Sequence, residues 1–174
     1  MSNEERGVPL PYSQDRSANQ STVEELTEAQ RAASHNMELM QTLDDAWNAQ
    51  DLETFAKRHK DDVVVRWPGK EPTNGVHDHR AEALDFFKMF PDQKVHNRPY
   101  KTLFASGDWT CSIARFTGTM KGPMKGPDGK DIPPTNKSFD VDFCTVARWD
   151  NGQIVEENLF YDLVTFMKQI GLGT

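Results

Sequence analysis

FDVDFCTVARWDNGQIVEENLFYDLVTFMKQIG, residues 139–171, reads as a long strand, an Asn-Gly turn, a second long strand and a short closing helix. A two-stranded ribbon of this length curves strongly under its own twist, and a curved sheet is how a small domain encloses a pocket. The turn decides which side chains face that pocket. A two-residue Asn151-Gly152 turn pairs Arg148 with Val155 and puts Asp142, Cys144, Glu157 and Tyr161 on one face. A three-residue loop with Gly152 in a left-handed bulge shifts the pairing by one residue. It groups Val141, Phe143, Thr145 and Ala147 with Val155, Glu157, Leu159 and Tyr161 instead.

Upstream of this ribbon the chain alternates less regularly. Strands are expected over about residues 94–106 and 109–120, hinged at Ser106-Gly107-Asp108, followed by a Pro/Gly-rich loop at 121–138. Ala81 to Phe90 carry a helical pattern that Pro91 stops, with Asp78 as its N-cap. Val63, Val64, Val65 and Trp67 make a short strand ended by Pro68-Gly69, and Asp51 caps a short helix before it. Ser21 and Thr22 stand in capping-box spacing to Glu24 and Glu25. From there Leu26, Ala29, Ala33, Met37, Met40, Leu43 and Trp47 recur at steps of three or four, one apolar stripe on a long helix ending near Asn48. Residues 1–20 have no periodicity and read as a flexible tail. Residues 21–174 form a single domain, with 21–35 as a helical extension. Helices that precede one antiparallel sheet indicate an α+β fold whose sheet wraps the first helix.

Composition narrows the function. The 174 residues carry a formal net charge of −7, which argues against nucleic acid or an anionic membrane as partner. No run approaches the ~20 apolar residues of a membrane span, and the acidic first residues lack the apolar stretch of a secretory signal. The two cysteines, Cys111 and Cys144, fall in expected strands as buried free thiols, so a reducing cytoplasm is the expected compartment.

Five segments carry a family likeness: AWNAQDLETFAKRHKDDVVVRWPG at 46–69, FFKMFPDQKV at 86–95, GDWTCSIARFTGTMKG at 107–122, IPPTNKSFDVDF at 132–143 and ARWDNGQIVEENLFYD at 147–162. In this order, over residues 36–171, they resemble the SnoaL-like polyketide cyclase family. That family lies within the nuclear-transport-factor-2-like (cystatin-like cone) superfamily, which also holds scytalone dehydratase and ketosteroid isomerase. The resemblance implies a cone-shaped curved sheet around the first helix, a pocket for a small apolar molecule and a homodimer through the convex sheet face. It implies cyclase-, isomerase- or lyase-type chemistry on a carbonyl or ester compound. It also favours the second register above, with Glu157 on the pocket side.

The family's cyclases place an acid on the last strand within a His-x-Asp pattern, and here that pattern's His falls at Glu157 and its Asp at Leu159. A leucine transfers no proton. Glu157 is the best remaining acid, because burial in a cavity walled by Phe143, Leu159 and Trp47 raises a carboxyl pKa toward working pH. Tyr161, two residues on, shares its face and can donate a hydrogen bond to a carbonyl or enolate oxygen. Trp47, Trp67, Phe143, Thr145 and Leu159 are the expected ligand-binding wall. A non-catalytic ligand-binding or dimerisation module is the rival, and Leu159 supports it.

His77-Asp78-His79 has metal-ligand residue types but no third ligand in sequence, so no metal is expected, although a histidine from this region can reach the pocket rim. His96 with Asp108 or Asp142 gives no convergence. The chain has no phosphate-cradling glycine loop, no Gly-x-Ser-x-Gly elbow and no Cys/His signature, so no cofactor is expected.

Overall fold

In the computed structural model, residues 16–126 and 128–173 are described, the side chains from Thr27 onward. The long helix α1 spans Arg16–Asn48, so it starts before the expected capping box and takes in residues 16–20 of the expected tail. Residues 1–15 lie outside the described residues. Of the stripe, Met40, Leu43 and Trp47 are in the core, joined by Leu39, whereas Ala29 is exposed. Two polar residues, Asn36 and Asp44, are buried on the same face. Helix α2 (Leu52–Lys57) is capped by Asp51, whose carboxylate accepts from the amides of Glu53 and Thr54 at 3.1 Å each.

Strand β1 (His59–Arg66) follows, then β2 (Thr73–Asn74) and helix α3 (Val76–Met89). Helix α3 begins earlier than its apolar pattern suggests, and its N-cap is Gly75 rather than Asp78. The expected strand over 94–106 is two strands, β3 (Lys94–His96) and β4 (Thr102–Ser106). Pro99 lies in the break, where its missing N–H would interrupt a ladder. Asn97 anchors this break to α1 through the Gln41 carbonyl at 3.1 Å and Asp45 at 2.8 Å. Strand β5 (Trp109–Thr119) pairs with both pieces. Within the 121–138 loop a small pair forms, β6 (Met124–Lys125) with β7 (Asp131–Ile132). The ribbon itself is β8 (Ser138–Asp150) and β9 (Gln153–Phe160), and α4 (Leu163–Gln169) closes the chain on an Asp162 cap.

The main sheet runs β2-β1-β9-β8-β5-β3, with β4 also on β5. Its pairs are antiparallel except β1 with β9, which are parallel, so the sheet is mixed. These two strands are joined by most of the domain, and no tight turn dictates their relative direction.

The β8–β9 turn combines features of both expected registers. Asn151 and Gly152 both take positive φ, 51° and 79°, and Asp150 pairs with Gln153 across a two-residue primed turn. Trp149 then pairs with Ile154, but Arg148 pairs with Glu156, which leaves Val155 as a bulge. Beyond it Ala147 opposes Glu157 and Thr145 opposes Leu159, the face expected of the three-residue loop. The extra residue also turns Ile154 inward, where the alternation had put it outside.

The core fills the concave side. Phe90, Phe116, Phe139 and Phe166 pack with ring centroids 4.8–5.7 Å apart. Gly122 closes the far end, its amide donating to the Met89 carbonyl at 3.0 Å. A Cβ there would sit 2.1 Å from the Lys88 carbonyl oxygen, which is backbone and cannot swing away. Gly122→Ala is therefore expected to cost about 2–3 kcal/mol in a urea unfolding curve. A loss within error of zero contradicts this packing.

Candidate active site

The bulge at Val155 aims Glu157 into the concave side, where it is 5% exposed. Two imidazoles meet its carboxylate from separate elements. His59, first residue of β1, puts Nε2 3.6 Å from Glu157 Oε2, and His79, in the opening turns of α3, puts Nε2 3.4 Å from the same oxygen. His59 Nδ1 lies 2.8 Å from the Phe55 carbonyl, which only accepts, so Nδ1 carries the hydrogen. His79 Nδ1 faces Glu82 Oε2 at 3.5 Å. Glu82 in turn accepts from Trp67 Nε1 at 3.1 Å and from Thr73, and pairs with Lys70.

This network corrects the expected titration of Glu157. Burial pushes its carboxyl up, but the two imidazoles outweigh burial and hold it down at about 2. Burial likewise opposes charge on His79, yet Glu157 and Glu82 raise its pKa overall. Glu157 is therefore a fixed carboxylate and not a protonated acid near neutral pH.

A second buried carboxyl, unnoticed in the sequence, behaves in the opposite way. Asp44 sits on α1 between Met40 and Trp47, 9% exposed, and accepts from the Tyr100 hydroxyl at 2.6 Å. Burial raises its pKa to about 7; the Tyr100 hydrogen bond works against this, and the charges of Glu157 and Asp45 add to it. Its neighbour Asp45 faces out, pairs with Arg98 and is lowered. One helix turn thus carries two aspartates with opposite fates. The only trace of Asp44 in the sequence is an acid at stripe spacing between Met40 and Trp47. The break between β3 and β4 supplies Tyr100, which no local pattern connects to α1.

Asp44, His79 and Glu157 line one cavity of about 30 Å³. That is room for one or two waters. Trp47, Trp67, Phe143, Thr145 and Leu159 all line it, with Leu43, Phe55 and Val95. The indole Nε1 of Trp47 is buried with no acceptor among the described residues. Tyr161 does not share this cavity: it stacks on Phe143 with centroids 5.9 Å apart and lines an outer groove with Trp67, Lys70, Glu82, Phe86 and Met89. The groove has a volume of about 280 Å³, and the Trp67 ring borders both spaces.

The remaining candidates separate. His77 is exposed and meets only Asp78, and His96 bonds Thr117 at 3.1 Å with neither Asp108 nor Asp142 as partner. Cys111 and Cys144 are free but only half-buried, on the outward face, with sulfurs 3.9 Å apart. No helix among the described residues is long and apolar enough to cross a membrane.

The sequence model of the SnoaL-like polyketide cyclase family matches residues 37–170. Among solved structures, a protein of Jannaschia sp. CCS1 described as a SnoaL-like polyketide cyclase shares 25% identity, with a TM-score of 0.71 over 82% of this chain and 95% of its own. AclR of Streptomyces galilaeus, described as a hydroxylase, shares 20% identity and a TM-score of 0.68 over 82% of this chain and 88% of its own. An LEH-like epoxide hydrolase of M. tuberculosis shares 16% identity and a TM-score of 0.59 over 79% of this chain and 90% of its own. The last two show the fold alone. No curated protein matches the chain in sequence.

Proposed function

The chain belongs to the SnoaL-like polyketide cyclase family, and on that premise we propose that it is an enzyme of the cyclase/isomerase/lyase type that moves a proton on a small apolar carbonyl or ester compound. One observation carries the reading: Asp44, a carboxyl inside an apolar cavity, has its pKa raised to about 7, where a group both gives and takes protons at neutral pH. Asp44 replaces Glu157 as the group that exchanges the proton. Glu157, with its imidazoles, is the fixed charge on the facing wall. Trp47, one helical turn from Asp44, offers its unpartnered N–H to a ligand oxygen.

The inner cavity is too small for a ring. The body of the compound rests in the outer groove against Trp67, Phe86 and Tyr161, and its reactive carbonyl passes Trp67.

The test is deuterium wash-in at the α-carbons of a panel of apolar cyclic ketones and esters in D2O, followed by NMR. Wild type is expected to exchange at least one of them above the buffer rate, with a break in rate near pH 7, and Asp44→Asn to lower exchange by about tenfold or more. Equal exchange by the variant defeats the reading. The rival, a non-catalytic ligand-binding or dimerisation module of this fold, draws support from Leu159 at the family's acid position.

The expected partner is a second copy of the chain, and the outer sheet face supports that assignment. Phe104, Cys111 and Val146 form one cross-strand row, and Ile113, Cys144 and Phe160 the next. Phe104 and Phe160 are 56% and 55% exposed, and the Arg115–Asp140 pair at 2.7 Å flanks the patch. Light scattering after size exclusion is expected to give twice the chain mass for wild type and the chain mass for Phe160→Glu. A wild-type monomer removes the dimer from the proposal. The reducing cytoplasm remains the proposed compartment, on the two free thiols.

A further inference from the structure

We propose that His59, His79 and Glu157 bind a divalent transition-metal cation of the zinc class. The site shares Glu157 with the proton-transfer reading but rests on the geometry of its three ligands and not on Asp44.

The ligand atoms of the three buried side chains lie within 4.8 Å of one another. Glu157 Oε2 is 3.6 Å from His59 Nε2 and 3.4 Å from His79 Nε2. Two ligands each about 2.1 Å from a tetrahedral ion stand about 3.4 Å apart, so these separations suit an ion between them and are long for a hydrogen bond.

The hydrogens point the same way. The Phe55 carbonyl takes the Nδ1–H of His59, and a neutral ring then turns its Nε2 lone pair toward a carboxylate. The Glu82 carboxylate faces His79 Nδ1 from behind at 3.5 Å, without a hydrogen bond. Both Nε2 atoms are buried without a hydrogen-bond partner among the described residues. Two ring nitrogens and a carboxylate oxygen that converge without a hydrogen bond between them place a positive charge at their centre in favourable contact with all three. A carbonyl behind one histidine and a carboxylate behind the other are the outer contacts that orient metal-binding imidazoles. Two nitrogens and one carboxylate oxygen are a zinc ligand set with a fourth position open, and His79 and Glu157 border the cavity on that side. A cation there can polarise a carbonyl oxygen facing Asp44.

The competing account is that both imidazoles carry an extra proton and no ion binds. The full chain, stripped with a chelator and dialysed against Zn2+, is expected to retain about one equivalent by elemental analysis. Co2+ in place of Zn2+ is expected to give the visible absorption of a low-symmetry site, and Zn2+ to raise Tm. Glu157→Gln and His79→Ala should lose the ion, and His77→Ala, at an exposed neighbour, should keep it. If the buried variants do not fold, the wild-type stoichiometry and Co2+ spectrum decide. Retention below about a tenth of an equivalent without a Co2+ band overturns the site, as does undiminished binding by a folded Glu157→Gln chain.

Discussion

Asp44→Asn makes the chain more stable than wild type at neutral pH, with the gain growing between about pH 4.5 and 6.5. The folded carboxyl keeps its proton up to about pH 7, whereas the unfolded one releases it near 3.8. Over that interval the native state binds more protons than the unfolded state, so wild-type stability falls as pH rises and levels off above 7. The displacement corresponds to roughly 4 kcal/mol in all. Glu82 and Glu157, whose folded pKa values are lowered, act in the opposite sense and below about pH 4.5, their usual value. His79, whose folded pKa is raised, contributes stability that is present below 6.5 and lost above it. His96, whose folded pKa burial lowers below 6.5, acts in the opposite sense within this window and is the same in both chains, so the difference between wild type and Asp44→Asn isolates Asp44. Urea unfolding at several pH values is expected to show a stability gap between Asp44→Asn and wild type that widens as pH rises. Parallel profiles would mean that the carboxyl is solvated and not the cavity's acid.

Glu157→Gln is expected to be the most damaging conservative change in the chain. It leaves two buried imidazoles without their anion, and breaking a buried charge cluster from one side costs about 3–5 kcal/mol. For a domain of this size that lowers Tm by roughly 10 °C. Replacing all three members together, Glu157→Leu with His59→Phe and His79→Phe, removes the charges along with their desolvation and is expected to recover most of the loss. Calorimetry on both variants checks the pair of outcomes. A single change that costs less than about 1 kcal/mol would show that the cluster contributes no net attraction. A triple change no better than the single would assign the loss to packing instead.

Much of the fold was readable residue by residue. The apolar stripe through Met40, Leu43 and Trp47 located α1, Asp51 located the start of α2, and the alternation around Asn151-Gly152 located the ribbon. Misreadings arose where a local signal competed with a distant one. The continuous pattern over 94–106 concealed the break at Pro99, and Asp78 gave up its capping place to Gly75. The site was less legible. Trp47, Trp67, Phe143, Thr145, Glu157 and Leu159 reach the cavity, but Tyr161 leaves it, since the chain turns away after Phe160 and its ring stacks behind Phe143. No local pattern marks His59, which falls between the Asp51-capped helix and the strand expected from Val63, and Asp44 sits at stripe spacing on one face of a helix.

The sequence by itself determined a sheet folded round an N-terminal helix and its last hairpin, because periodicity and turn chemistry act over a few neighbouring residues; the wall of the cavity hung on a register that turn chemistry alone leaves open. Only the tertiary structure decided the protonation of the site. Tyr100 comes 56 residues after Asp44, and Glu157 comes 98 residues after His59 and 78 after His79. A carboxyl's pKa is set by what lies within a few ångströms, so spacing along the chain gives no sign that Asp44 keeps its proton while Glu157 loses its own.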